Sequence, residues 1–326
     1  MKLLITGTTG HLGEALMRTL KNKGHELVGI DLLPSPFTTH VGSIVNKDFV
    51  HELVQGCDYI LHTATLHKPH VVTHTKQDFI DTNISGTLNL LEAAKQHGVK
   101  GFIFTSTTST FGDAMRPKDG ESATWITEAI RPIPKNIYGA TKTTTEDLCQ
   151  LFFRNHQLPC LILKTSRFFK EIDDNKAYRG AYKDLNIKAN EFLYRRVDIQ
   201  DAVDAHLLAL EKVTTLGFGK YIISATTPFS KEDLPLLNKD ANTVVQKYYP
   251  DFEAIYQARN WKMFPQLGRV YVNEKARLEL GWQPKYDFRF ILDGLKNKQP
   301  FWSPLAQKIG IKGYHLQAFE NDPYPV

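Results

Sequence analysis

The stretch Lys2-Leu3-Leu4-Ile5-Thr6-Gly7-Thr8-Thr9-Gly10-His11-Leu12-Gly13 decides the fold. Its first residues form an apolar run that reads as a buried strand. Leu12, Ala15, Leu16, Thr19 and Leu20 then recur at helical spacing until Gly24 stops the helix. Between the two, Gly7, Gly10 and Gly13 leave backbone N–H groups free to approach a pyrophosphate at a helix N-terminus. A glycine pattern alone is a weak signal. This one follows a strand, opens a helix, and is followed by an acid, Asp31, that ends the next strand. An acid there accepts hydrogen bonds from both adenosine ribose hydroxyls and repels a 2′-phosphate. Leu32 and Leu33 follow, with no Lys or Arg beside them, so NAD is expected over NADP.

The same rhythm continues. Residues 26–31, 58–62, 101–105 and 159–164 are short apolar runs. Residues 77–97 carry Ile80, Ile84, Leu88, Leu91 and Ala94 at helical spacing ahead of Gly98, and residues 138–155 form a second long helix. Strands alternating with helices and apolar throughout predict a parallel sheet covered on both faces. The expected fold is α/β, a Rossmann-type doubly wound parallel sheet. The expected division is residues 1–165 with a return segment at about 192–212 for the NAD-binding domain, and residues 166–191 and 213–326 for the rest of the chain. Residues 170–190 are polar and break the rhythm. It returns at Arg196 to Asp201, in a helical run from Ala202 to Leu210, and in a strand over 219–224.

Composition narrows the class. The chain has 326 residues and a formal net charge of +5, with both signs well mixed. No basic stripe supports nucleic-acid binding. No run approaches the ~20 apolar residues of a membrane span. A strand beginning at Lys2 leaves no room for a signal peptide, and Cys57, Cys149 and Cys160 read as reduced, mostly buried thiols, so a cytoplasmic protein is expected. His62, His67, His70 and His74 cluster, but Pro69 interrupts any regular spacing and no metal site is expected.

Tyr138 and Lys142 stand one helical turn apart, after the strand that ends in Thr105-Ser106-Thr107. A phenol ionises near pH 10, and lowering this by about three units takes roughly 4 kcal/mol. An ammonium group and an oxidised nicotinamide nearby would both favour the phenolate. Tyr and Lys at this spacing are common on helix surfaces. The pair counts because of the nucleotide-binding sheet it follows.

With these residues in view, the chain resembles the extended short-chain dehydrogenase/reductase superfamily, in its NAD-dependent epimerase/dehydratase family. Thr6 to Gly13, His62-Thr63-Ala64-Thr65, Asn83-Ile84-Ser85-Gly86-Thr87, Thr105 to Gly112, and Tyr138 to Lys142 carry the likeness. So do Val197 to Val203 and Leu280-Gly281-Trp282-Gln283-Pro284, and it spans about residues 1–295. The resemblance implies Tyr138 as acid/base, Lys142 on the nicotinamide ribose and tuning Tyr138, and Thr107 as the catalytic hydroxyl. It implies a cofactor site of Gly7, Thr9, Gly10, His11, Leu12, Gly13, Asp31, Ser43, Ile44, Thr63, Ala64, Thr65, Asn83, Thr105, Tyr138, Lys142, Thr165 and Ser166. Ser43 stands where relatives often carry an acid near the adenine. A smaller C-terminal substrate lobe, which with the tail covers residues 166–191 and 213–326, and a homodimer through the two long helices are also implied.

Two departures bear on the substrate. Sugar 4,6-dehydratases carry an Asp-Glu pair where this chain has Thr108-Ser109, which argues against dehydration by that route. After the strand at 159–164, nucleotide-sugar epimerases often have an Asn where this chain has Arg167. A forked cation suits a diphosphate or the carboxylate of a free sugar acid, as in the similar uronate dehydrogenases. Lys68, Thr107, Thr108, Ser109 and Arg167 are the expected substrate contacts. His67, Trp125 and Glu128 are further candidates for the pocket wall, and Arg195 and Arg196 are expected on phosphate or on Asp198 and Asp201. The favoured reading is an epimerase-type enzyme acting on a sugar or nucleotide sugar. The alternatives are an NAD-dependent dehydrogenase of a free sugar or sugar acid and an NAD-binding regulator.

Overall fold

A computed structural model describes residues 1–313 of the chain. Strands β1 (Lys2–Thr6), β2 (Glu26–Asp31), β3 (His40–Val41), β4 (Tyr59–His62), β5 (Gly101–Thr107), β7 (Cys160–Thr165) and β8 (Phe218–Ile223) form one sheet in the order β3-β2-β1-β4-β5-β7-β8. Every pairing is parallel. Leu3 to Ile5 and Leu161 to Leu163 have no exposed surface, as expected of strands covered on both faces. Strand order reverses between β1 and β4, and a crevice opens at their carboxyl ends, where open α/β sheets take their ligands.

Helices α1 (His11–Leu20) and α8 (Ile199–Leu216) cover one face. Helices α2 (Lys47–Val54), α4 (Gly86–Gln96) and α5 (Ile137–His156) cover the other. The long helix expected over 77–97 is not uniform. A first turn, α3 (Lys76–Phe79), leads into a π-helical segment, Ile80–Ser85, before α4. The Asn83 carbonyl accepts the Thr87 hydroxyl at 2.6 Å and, from α5, the Thr145 hydroxyl at 3.1 Å. Side-chain donors inserted into the ladder displace the ordinary backbone partner.

The expected division of the chain needs one correction. β8 pairs with β7 over six residues, so the return to the sheet runs to residue 223 and does not stop near 212. Strand β6 (Thr124–Ile126) instead joins β9 (Arg269–Tyr271) in a separate two-stranded sheet. The polar stretch after β7 folds as helices α6 (Lys176–Ala181) and α7 (Asp184–Glu191). Phe252, Phe264, Trp282 and Phe288 of the lobe belong to the same buried cluster as Leu3, Leu16 and Val203. No helix among the described residues is long and apolar enough to cross a membrane.

Candidate active site

The turn after β1 is built around its glycines. Gly7 has φ +75°, and a Cβ on Gly13 would lie 2.0 Å from the Gly7 carbonyl oxygen, so α1 can start this close to the strand only without a side chain there. Asp31 binds the same turn, taking the Thr9 N–H at 2.9 Å and the Leu33 N–H at 3.1 Å. A carboxylate has about four acceptor sites. Two are taken, which leaves capacity for the paired hydroxyls of a ribose, and the cradle fits a dinucleotide.

The segment after β4 is fixed by a relay of hydrogen bonds. Thr6 Oγ1 accepts from the N–H groups of Thr63 and Ala64, both at 3.1 Å, and donates to His62 Nδ1 at 2.7 Å. His62 Nε2 therefore carries the proton and donates to Thr87 Oγ1 at 2.9 Å. Burial, helped by the Lys142 charge, pushes His62 well below the ordinary histidine range, so the ring stays neutral. Asn83 was expected to touch the cofactor. It is 2% exposed and does not reach the cleft. Its amide takes Thr65 Oγ1 and the Leu66 N–H and donates to the Leu66 carbonyl and Thr141 Oγ1, all at 2.8–3.0 Å. It fastens the cleft wall to α5.

One cleft of about 1230 Å³ runs along the carboxyl ends of the strands. The expected cofactor and substrate residues line it, with the exceptions of Asn83 and Lys142. Thr107 ends β5, and its Oγ1 accepts the Ser109 N–H at 3.1 Å, which starts the turn holding Thr108 and Ser109. Tyr138 enters from the first turn of α5, whose N-cap Asn136 accepts the Gly139 N–H at 3.0 Å. Burial pushes the Tyr138 phenol up to about 12, against a pull down from its hydrogen bond with Thr107. Lys142 is 2% exposed. Its ammonium donates to the Thr105 carbonyl at 2.6 Å and lies 3.9 Å from the centre of the Phe104 ring. Burial pulls it down to about 7. On Tyr138, desolvation thus outweighs the Thr107 hydrogen bond, and the Lys142 ammonium is spent on a backbone oxygen.

Arg167 lines the cleft but is already held by acids. It lies 2.5 Å from Asp173, 3.0 Å from Asp174 and 3.4 Å from Glu191. Lys68 is paired with Asp174 at 2.5 Å. Burial raises Asp174, but the Arg167 and Lys68 charges outweigh it and hold the carboxyl far below its usual range. Arg195 and Arg196 pair with Glu191, at 2.6 and 2.5 Å, and not with Asp198 or Asp201 as expected. Asp198 and Asp201 instead take Ser303 and the N–H groups of Lys285 and Tyr286. Trp125 and Glu128 do not line the cleft. Glu128 accepts the Ile222 N–H at 2.8 Å. The rings of His67, His70 and His74 pack on one another, and among the described residues no group of acids, His or Cys is arranged to hold a metal ion.

Sequence reasoning missed a clasp over the cradle. His11, the first residue of α1, lies 2.7 Å from Glu171, with its ring against Phe169. The same carboxylate takes the N–H groups of Lys312 and Gly313 at 3.0 and 3.2 Å, and Lys312 Nζ reaches Glu14 on α1 at 2.5 Å. These partners are up to 298 residues apart in the chain, and no spacing announces them.

Comparison with known proteins agrees with this architecture. An uncharacterized UDP-glucose epimerase, YtcB, of Bacillus subtilis is 32% identical over 52% of this chain and 56% of its own length. A uronate dehydrogenase of Pseudomonas syringae pv. tomato is 30% identical over 52% of this chain and 60% of its own. The matches thus span little more than half of these relatives. A short-chain dehydrogenase/reductase superfamily protein from Agrobacterium tumefaciens, solved with bound NAD, superposes with a TM-score of 0.66 at 19% identity, covering 91% of this chain and 96% of that one. At that identity the likeness speaks for the fold. Residues 3–223 match the model of the NAD dependent epimerase/dehydratase family, and the chain belongs to that family.

Proposed function

We propose that this chain is an epimerase-type oxidoreductase acting on a secondary alcohol of a sugar or nucleotide sugar. The observation that carries the epimerase choice is the clasp of His11, Glu171 and Lys312 across the start of α1. A reaction that returns hydride to its own substrate can keep its cofactor enclosed. A dehydrogenase must release reduced cofactor in every turnover. The cleft volume of about 1230 Å³ exceeds the ~300–1,000 Å³ of ordinary small-molecule sites, leaving room for a dinucleotide and a second ligand. Arg167, the candidate grip for a free sugar acid, is committed to Asp173, Asp174 and Glu191.

When bound, NAD supplies the hydride acceptor and, oxidised, a positive charge. The chain's own groups handle the proton. Thr107 Oγ1 and Tyr138 Oη take the substrate hydroxyl between them, and Tyr138 Oη receives its proton as the carbon is oxidised. A phenol at about 12 must fall by roughly five units to serve near pH 7, about 7 kcal/mol. One cation within ~4–6 Å supplies one to three of those units, so Lys142 is needed together with the second charge. The test is a screen of UDP-sugars and free sugar acids for interconversion and for NADH, beside Tyr138→Phe. Interconversion without net NADH, lost in Tyr138→Phe, is expected. Net NADH from a sugar acid would overturn the epimerase choice, and activity intact in Tyr138→Phe would overturn the mechanism.

A further inference from the structure

Glu146 lies on α5, one turn past Lys142 and two past Tyr138, so the three share a helix face. It has no exposed surface. Its carboxylate takes Lys164 Nζ at 2.6 and 2.9 Å and the Ser106 hydroxyl at 2.5 Å, with Lys220 Nζ at 3.3 Å. Ser106 stands between Thr105, whose carbonyl holds Lys142, and Thr107, which meets Tyr138. Lys164 is its register partner on β7. A buried ion pair is often no more stabilising than a well-packed apolar pair, so stability alone does not explain one placed directly behind the proton-transfer residues.

The surroundings of Lys142 suggest what it does. From β5 come the Phe104 ring and the Thr105 carbonyl, from α5 Tyr138, Glu146 and Cys149, from β7 Lys164, and from β4 the neutral His62. Glu146 is the carboxylate in this set. We propose that Glu146 is a positioning residue for the proton-transfer pair: through Ser106 and Lys164 it locks α5 to β5 and β7, and it fixes a negative charge one helical turn from Lys142. The inference rests on the Tyr138–Lys142 reading above. Burial alone drives Lys142 toward neutrality, Glu146 opposes it, and Lys164 adds to it. Tying Glu146 to Ser106 places the opposing charge at a fixed point of the helix.

The test is the pH dependence of NADH affinity, followed by NADH fluorescence on the full chain, stripped of retained NAD, with no substrate. A net-negative ligand beside Lys142 favours its charged form. Affinity should therefore hold below a break near pH 7 and weaken by up to about tenfold per pH unit above it. Glu146→Gln should move the break lower by about one pH unit, and Glu146→Asp should leave it near its original place. If Glu146→Gln does not fold on thermal melting, the double substitution Glu146→Gln, Lys164→Met replaces the whole pair, and its break should move the same way by less. An unmoved break in a folded variant, or no break at all, overturns the proposal while leaving NAD binding intact. Failure of NADH to bind the unsubstituted chain overturns the cofactor reading and this proposal with it.

Discussion

Glu171→Gln tests whether the clasp retains the cofactor. The buried carboxylate holds His11 at 2.7 Å and two backbone N–H groups at 3.0 and 3.2 Å. Burial raises this acid, yet these partners outweigh it and keep it below its ordinary value, so it is ionised at neutral pH. Hydrogen bonds to a charged group contribute about 1.5–3 kcal/mol each and are not additive. The amide keeps an acceptor oxygen but loses the charge. A loss of about 2–3 kcal/mol from the closed state is expected, equivalent to roughly 30- to 150-fold faster release of bound NADH. Lys312→Met is the internal contrast. It removes only the Glu14 ion pair at the rim, an interaction of under about 1 kcal/mol, and should speed release less than about fivefold. Stopped-flow fluorescence with an NADH trap reads both rates. Equal release from Glu171→Gln and the unsubstituted protein would refute the clasp, and with it the reason for preferring an epimerase. A larger effect from Lys312→Met would place the latch elsewhere.

Tyr138→Phe should lower turnover by about 10²–10⁴ while leaving NADH affinity within a few-fold, as equilibrium titration and steady-state rates will show. Gly13→Val should abolish cofactor binding in isothermal titration and lower the melting temperature, because a Cβ there meets the Gly7 carbonyl oxygen at 2.0 Å. Buried His206, bonded to the Thr105 hydroxyl and the Ala202 carbonyl, is pulled down by burial from 6.5 to about 4. The unfolded chain therefore binds the extra proton between those values. The contribution, about 3 kcal/mol, is complete above pH 6.5 and lost as the pH falls toward 4. Urea melts across that range should steepen accordingly, and His206→Gln should flatten them.

What the sequence disclosed follows from what is local. The turn at Gly7, Gly10 and Gly13 and the acid at Asp31 are backbone and register requirements met within one βαβ unit, so spacing alone exposes them. Tyr138 and Lys142 share a helix face for the same reason. Whether Lys142 reaches the cleft depends on how α5 sits on β5. The structure turns its ammonium to the Thr105 carbonyl, a result no periodicity contains. Arg167 is the sharper case. As a residue type it reads as a free anion grip, yet Asp173 and Asp174 from the loop after β7 and Glu191 at the end of α7 converge on it. The π-helical segment at Ile80–Ser85 was hidden in the same way, since the Thr145 hydroxyl that helps impose it comes from another helix.

An epimerase uses NAD without net reduction. The decisive experiment incubates the purified protein with UDP-glucose, adds no NAD, and records NADH fluorescence while the sugar products are resolved. The sugar should interconvert with its epimer over many turnovers while NADH never exceeds the number of protein chains. Conversion that requires added NAD, with NADH rising in step with product, would show a dehydrogenase instead.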